Sequence, residues 1–373
     1  MRNPNKLSPG LTKPINNITQ EELQSTLESV SSKTIWDQYE NSRFCTSSNT
    51  NIKQVSKIEN TIVDQMPDGF ECIRTSPLVP LGIYHILSGM SYDRSIQTSR
   101  KLELCSDLSI SLALEGLSRR KKHIKNPIQM AGFGTVFRPQ SFYGSVSGGD
   151  KNKSNYKYGV PSSHFSMYAN AILGSEKKEF FFAKKYIPMI IKHYLDIIKK
   201  LNESRFILSD IEVEIADMTH SSKILSEKKS SLHTFRDFQL RERAKTGIEP
   251  NISDFIELPM QEIHSSDKSL SDENMKNGLG LDLGYLISIG NHLRNIIKDN
   301  DTKVNYRIGR SRGAGQYSTL AFSIFAKNVD GKRIDVADGG ITSRGNILLN
   351  NNTERCLVGG IGTSLIAGLF YEK

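Results

Sequence analysis

The segment Arg312-Gly-Ala-Gly-Gln-Tyr-Ser-Thr-Leu-Ala-Phe holds the residue types best suited to chemistry in this chain. A single arginine sits among glycines, ahead of a strand-like run through Tyr317, Leu320, Phe322, Ile324 and Phe325. A guanidinium so placed can engage a carboxylate or a phosphate through paired hydrogen bonds. Gly313 and Gly315 would let a ligand approach the backbone, and they suit an ordinary hairpin turn equally well. Upstream, Asp107 and Ser109 stand near the start of an apolar periodic run through Ile110, Leu112, Ala113, Leu114 and Leu117. At such a position an acid and a hydroxyl can cap a helix or hold a ligand.

The remaining reactive side chains argue against other chemistries. Cys45, Cys72, Cys105 and Cys356 are far apart and show no paired-cysteine spacing, which indicates neither a zinc site nor a disulfide framework and fits a reducing cytoplasm. His220, His233 and His264 are too widely separated to suggest a metal cluster, and His85, His123 and His193 read as structural or surface groups. The N-terminus is polar, and no run of eighteen apolar residues occurs, so the expectation is a soluble protein with no export signal and no membrane partner.

Elements that would position these residues can be read along the 373-residue chain. Residues 1–60 are polar, with a possible capping box at Thr19 and Glu22 ahead of Leu23, Leu27 and Val30, and are expected to be an extension, partly helical or mobile. The body, 61–373, opens with a strand near Phe70 that Pro77 and Pro80 convert to a loop. Helical spacing is read over Leu102–Arg120, then a strand near Val136 and a long exposed loop to residue 161. Ile187–Leu201 gives the strongest helix signal, with Ile187, Ile190, Ile191, Tyr194, Leu195, Ile198 and Leu201 on one face. An alternating strand at 211–215 precedes a very polar stretch, 218–278, read as an insertion or surface helical region. A helix through Leu286, Ile289, Leu293 and Ile297 follows, then strands at 304–308, 317–326 and 332–337. A final strand or helix runs from Cys356 to Phe370, interrupted by Gly359, Gly360 and Gly362.

An apolar fraction of 37% suffices for a sizeable core. The net charge of +9 suits anionic partners, yet many lysines fall in scattered polar stretches such as 151–157 and 223–229, which read as solvated surface.

In this order the segments resemble histidyl-tRNA synthetase, and the chain looks like a divergent paralogue within the class II aminoacyl-tRNA synthetase superfamily. The Arg312 segment resembles that family's Arg-Gly-Leu-Asp-Tyr-Tyr-Thr signature, whose arginine contacts the activated carboxylate and α-phosphate. Asp338-Gly-Gly-Ile resembles the Gly-Gly-Arg-Tyr floor of the amino-acid pocket, and Gly359-Gly-Ile-Gly-Thr-Ser-Leu resembles the glycine-rich motif 3. Leu104-Cys-Ser-Asp-Leu-Ser resembles the Arg-Pro-Glu-Gly-Thr segment, so that Asp107 and Ser109 match the groups holding the substrate ammonium. Phe137-Arg-Pro-Gln with His164-Phe-Ser-Met-Tyr-Ala-Asn-Ala resembles motif 2, which gives Arg138 the place of the ATP-binding arginine and puts His164 within reach of the α-phosphate.

The resemblance implies an α+β fold, a mainly antiparallel sheet flanked by helices, and a homodimer formed through the region of Arg74 to Pro80. It also implies ATP and Mg²⁺ as cofactors, with Arg138 and Arg312 catalytic, and Asp107, Ser109, His164, Met167, Tyr317, Gly339 and Gly340 on the substrate. Arg138, Gly359, Gly360 and Gly362 would lie along the nucleotide. The chemistry is coherent: a carboxylate attacking an α-phosphate brings two anions together, and arginines stabilise the charged transition state.

Departures from the pattern shape the functional expectation. Leu365 stands where motif 3 has its ATP-packing arginine, and Ser364 where it has an acid. Met167 and Ala171 replace the Gln and Glu that read histidine, and Gly315-Gln316 replaces the Asp-Tyr pair, so a smaller or more apolar ligand is expected. The chain ends just after motif 3, as a catalytic core without an anticodon-binding domain, and tRNA is not an expected partner. Two readings follow. One is a tRNA-independent ligase that activates an amino acid or related carboxylic acid as an adenylate and passes it to a small molecule or carrier protein. The other is an inactive pseudo-synthetase that regulates a catalytic partner subunit, as the regulatory paralogue of ATP phosphoribosyltransferase does.

Overall fold

The computed structural model describes residues 20–41, 45, 47–48, 50–88, 95–98, 100–122, 126–137, 163–219, 284–297, 301–308, 310, 313 and 316–372. Two short helices, α1 (Gln20–Glu28) and α2 (Ser32–Asn41), precede α3 (Ile52–Asp64). Asn51 caps α3 by accepting from the Lys53 N–H, and Val55, Ile58 and Ile62 fall at helical spacing into the main core. The core therefore begins upstream of residue 60, within a helix that crosses the expected boundary.

Next come β1 (Glu71–Arg74), β2 (Leu78–Pro80), α4 (Ile83–Ser88), β3 (Leu102–Leu104), α5 (Leu108–Lys122), β4 (Ile128–Phe137) and β5 (His164–Ser175). Helical structure does not extend over 102–107 as expected, because Leu102–Leu104 pairs antiparallel with β2 and α5 starts only after Asp107. Helix α6 (Glu179–Asn202) begins at Glu179 rather than Ile187 and carries Pro188 buried inside it. Its aromatic first turns and that proline hide the helical period from a sequence reading. Thereafter follow β6 (Ser209–Asp217), α7 (Gly284–Ile297), β7 (Lys303–Ile308), β8 (Leu320–Lys327) and β9 (Arg333–Thr342). The chain closes with α8 (Arg344–Leu349), β10 (Glu354–Ile361) and α9 (Thr363–Leu369). The Cys356–Phe370 stretch is thus both a strand and a helix, divided at Gly362. The polar stretch read as an insertion lies outside the described residues beyond Thr219.

Eight strands form one sheet in the order β1-β4-β5-β10-β9-β8-β6-β7, antiparallel except for the β1–β4 and β6–β7 pairs at its edges. Side chains alternate between its faces. On one face Tyr168, Ile172, Phe322 and Ile341 pack against α3, α6, α7 and α9. On the other, Ala169, Ala171, Leu173, Ala321 and Val358 meet α4 and α5. The fold is α+β, with a mostly antiparallel sheet between two helical layers.

Candidate functional site

The α5 side of the sheet gathers the polar groups. Asp107 is the residue before α5, and its Oδ1 accepts hydrogen bonds from the Ser109 N–H at 2.9 Å and from the Ser109 hydroxyl at 2.6 Å. That is helix capping, and it leaves Oδ2 for other partners. Oδ2 accepts from Gln316 Nε2 at 3.2 Å and from an Arg344 Nη at 3.2 Å. The other Arg344 Nη donates to the Ser109 hydroxyl at 2.8 Å. Arg344 opens α8 and is completely buried, while the Asp107 side chain keeps 17% of its surface exposed. Among the described residues, the Arg344 Nε–H meets no acceptor. The expected ammonium-holding pair is thus bridged by a cation of the chain itself.

A second polar group adjoins the first through Gln316 and Tyr317. Gly313 turns the chain at φ +80°, and its carbonyl accepts from the N–H groups of both Gln316 and Tyr317 at 2.9 Å. The turn reading of this segment therefore holds at Gly313, while Arg312 lies outside the described residues, as does Arg138. The buried Tyr317 hydroxyl donates to Asp338 Oδ2 at 3.1 Å. The buried Arg310 guanidinium lies 6.0 Å from the Tyr317 ring centroid. Burial, reinforced by the Asp338 charge, pushes the Tyr317 phenol well above its ordinary range and keeps it a hydrogen-bond donor. Tyr84 supports the Asp107 turn from below, its oxygen accepting from the Ser106 N–H at 2.7 Å.

The glycines expected to floor the pockets divide between the faces. Gly340, Gly360 and Asp338 share the α5 side, whereas Gly339 and Gly359 face α6. A Cβ at Gly340 would stand 2.7 Å from Tyr317 Cδ1, and one at Gly360 would collide with Met167 Cε. On the far side, a Cβ at Gly339 would stand 2.6 Å from Phe322 Cζ, and one at Gly359 would stand 2.5 Å from the Tyr194 hydroxyl. Each glycine is closed over by a side chain of this protein. Gly362 is the residue preceding α9.

His164 begins β5 opposite Phe137, their ring centroids 6.0 Å apart, and the Phe137 N–H donates to the Cys105 carbonyl at 2.7 Å. Leu365 is half-buried against the main core, and the Ser364 hydroxyl accepts from the Ser166 N–H at 2.9 Å. Leu365 thus turns an apolar side chain to the core where the resemblance implies a cation, and Arg138 and Arg312 of the expected nucleotide site lie outside the described residues. Among them, no three His, Cys, Asp or Glu side chains converge as metal ligands.

Sequence reasoning missed Arg344 and Arg310, and it gave the acid Asp338 no role of its own beside the glycines of its segment. Asp338 stands beside the Gly-Gly pair and could have been found there, since a carboxylate flanking a pocket floor is chemically conspicuous. Arg344, by contrast, looks like any helix-terminal arginine until the α8 start is placed against α5. Among the described residues, no helix is long and apolar enough to cross a membrane.

Neither a protein-family model nor a curated protein matches the sequence. Solved structures do. An ATP phosphoribosyltransferase regulatory subunit/histidyl-tRNA synthetase from Bacillus halodurans superposes with a TM-score of 0.59 at 12% identity, covering 85% of this chain and 79% of that one. A histidyl-tRNA synthetase from Nostoc sp. PCC 7120 gives 0.56 at 15% identity, covering 87% and 74%. A histidine–tRNA ligase subunit from Alicyclobacillus acidocaldarius gives 0.55 at 12% identity, covering 87% and 94%. The fold of this chain is similar to that of these synthetase structures.

Proposed function

We propose that this chain is a pseudo-synthetase, a class II synthetase core serving as a ligand-sensing or regulatory subunit of another enzyme. The observation that carries this reading is the buried Arg344 bridge to Asp107 and Ser109. A guanidinium already fills the role that a substrate ammonium would take, and displacing it would strand a buried cation at a cost of several kcal/mol. The leucine at 365 and the self-filled glycines point the same way. One of the similar structures is an ATP phosphoribosyltransferase regulatory subunit/histidyl-tRNA synthetase, which agrees with such a role. A homodimer associated with a catalytic partner is the assembly this reading calls for.

A second reading keeps the adenylate-forming ligase, using ATP and Mg²⁺ with Arg138 and Arg312 as its cations. It is favoured by the mixed charge of the Tyr317, Asp338 and Arg310 group, which could receive a zwitterionic acid. ATP–pyrophosphate exchange over the twenty amino acids, on the wild-type chain and on Arg312→Ala, separates the two. Silence throughout is the expected result. Exchange with any amino acid that Arg312→Ala abolishes would sink the regulatory reading.

A further inference from the structure

Phe181, in the first turn of α6, stands 53% exposed between two pairs of lysines. Lys177 and Lys178 precede it by four and three residues, and Lys184 and Lys185 follow it by three and four, the spacing of neighbours on one helix face. Lys177, Lys178 and Lys185 are exposed and Lys184 is half-buried. Three of the ammonium groups lie beside rings: Lys178 is 5.9 Å from the Phe181 centroid, Lys184 5.6 Å from that of Phe180 and Lys185 4.8 Å from that of Tyr186. Among the described residues, none of these four lysines is ion-paired, whereas Lys192 and Lys200 of the same helix are matched by Asp196 and Glu203.

The two acids of the segment are engaged locally. Glu179 accepts from the Thr319 hydroxyl, and the Nε of Arg355, itself only 9% exposed, stands 4.0 Å from the same carboxylate. The Arg355 Nη groups donate to the Lys177 carbonyl at 3.3 Å and the Asn352 carbonyl at 2.8 Å, and Glu176 accepts from the Lys178 N–H at 3.3 Å. The turn from β5 into α6 is therefore fixed from beneath while its cations stay in solvent. From Lys178 to Lys185 the helix rises about 10 Å, room for one base and the phosphates on either side of it. An exposed ring ringed by cations suits an unpaired base, since the ring offers a stacking face and the ammonium groups neutralise the backbone. An anionic membrane is the weaker match, because the neighbours of Phe181 on this face are lysines rather than further apolar side chains.

We propose that the opening turns of α6 bind single-stranded nucleic acid, with a base stacked on Phe181 and its phosphates held by Lys177, Lys178, Lys184 and Lys185. Helix α6 packs on the sheet face opposite the Asp107 group, so this platform is independent of whether that group holds a substrate.

The test follows the anisotropy of a fluorescein-labelled oligouridylate or oligothymidylate of about ten nucleotides, titrated with the full chain over a salt series. The logarithm of the binding constant should fall with that of the salt concentration at a slope of about −3, as four neutralised phosphates require. Lys184→Gln combined with Lys185→Gln should roughly halve that slope. Phe181→Ala and Phe181→Leu should each weaken binding by roughly tenfold at every salt concentration with the slope unchanged, because leucine keeps apolar surface but has no ring to stack. Emission of the Phe181→Trp variant should be quenched on saturation beyond that of Trp36, the single tryptophan of the wild-type chain. Circular dichroism and melting should match wild type in every variant, since the substituted side chains pack little. Full affinity in Phe181→Leu would overturn the proposal. So would a duplex of the same length bound as tightly as the single strand, displacement by polyglutamate at equal charge, or binding of phosphatidylserine vesicles with no binding of either oligonucleotide.

Discussion

Arg344 is held by two side chains that would otherwise face a ligand, so its replacement tests what the Asp107 group is for. Arg344→Met keeps most of the volume and removes the charge, leaving Asp107 with Ser109 and Gln316 alone. Stability should fall by about 2 kcal/mol, less than for a fully buried pair because Asp107 is partly exposed. Adding Asp107→Asn should recover more than half of that loss, and urea unfolding of the four members of the cycle reads the coupling. Additive losses would mean that the bridge is incidental. At this scale the sequence was half legible. Asp107 and Ser109 were placed at a helix start by residue type alone, since few residues cap helices well. Their partner could not be found, because nothing in the spacing of residues 109 and 344 brings them together; the β9–α8 turn does.

Glycines in β9 and β10 let the helical layers press against the sheet, and the element decides which substitution can be tolerated. A Cβ at Gly359 meets the Tyr194 hydroxyl of α6, whereas one at Gly339 meets the backbone carbonyl of Val358 at 2.5 Å as well as the Phe322 ring. Gly359→Ala should cost about 2 kcal/mol, and Tyr194→Phe should return much of it by removing the crowded oxygen. Gly339→Ala should stay destabilised with any single partner change, because a backbone carbonyl cannot be trimmed. Thermal or urea midpoints of these variants check both. Helix α6 also sets a pH dependence. His193 is buried, its Nε2 2.9 Å from the Tyr168 hydroxyl, and burial lowers its pKa from 6.5 to about 4. The unfolded chain therefore binds the proton more readily between those values. Stability is full above pH 6.5 and declines toward pH 4, by roughly 3 kcal/mol from this group. His193→Gln should flatten that part of the pH–stability curve, and an unchanged slope would show that other groups carry it. The boundaries of α6 and α5 were the least legible features, for one reason: Phe180–Phe182 and Leu102-Glu103-Leu104 are segments too short for their period to be read until the fold supplies their partners.

Over the whole molecule the sheet is assembled from distant segments: β10 lies between β5 and β9, and β1 joins β4 across α4, α5 and the separate β2–β3 pair. Segment order along the chain disclosed this architecture through resemblance, because hydrophobic period gives strands but not their neighbours. One connection bears on how much of the chain the fold requires. Strands β6 and β7 run parallel, paired from Glu212 with Lys303 to Asp217 with Ile308. Parallel neighbours need a crossover, and α7 supplies it by packing on α6, β6 and β7. A βαβ unit of this kind closes with a loop of only about 2–6 residues before its helix. The chain between Thr219 and Gly284 is far longer than that requirement. It is also richer in charged residues than the chain as a whole, from the Lys223–Lys229 stretch onward. Replacing residues 220–283 with about ten Gly and Ser residues should leave the melting temperature within a few degrees of wild type, since the entropy of closing a connection changes only slowly with its length. The near-ultraviolet spectrum of the buried tyrosines would report whether packing survives. A collapse of both would assign the 220–283 segment a structural part in the sheet, and the β6–α7–β7 unit would no longer be self-sufficient.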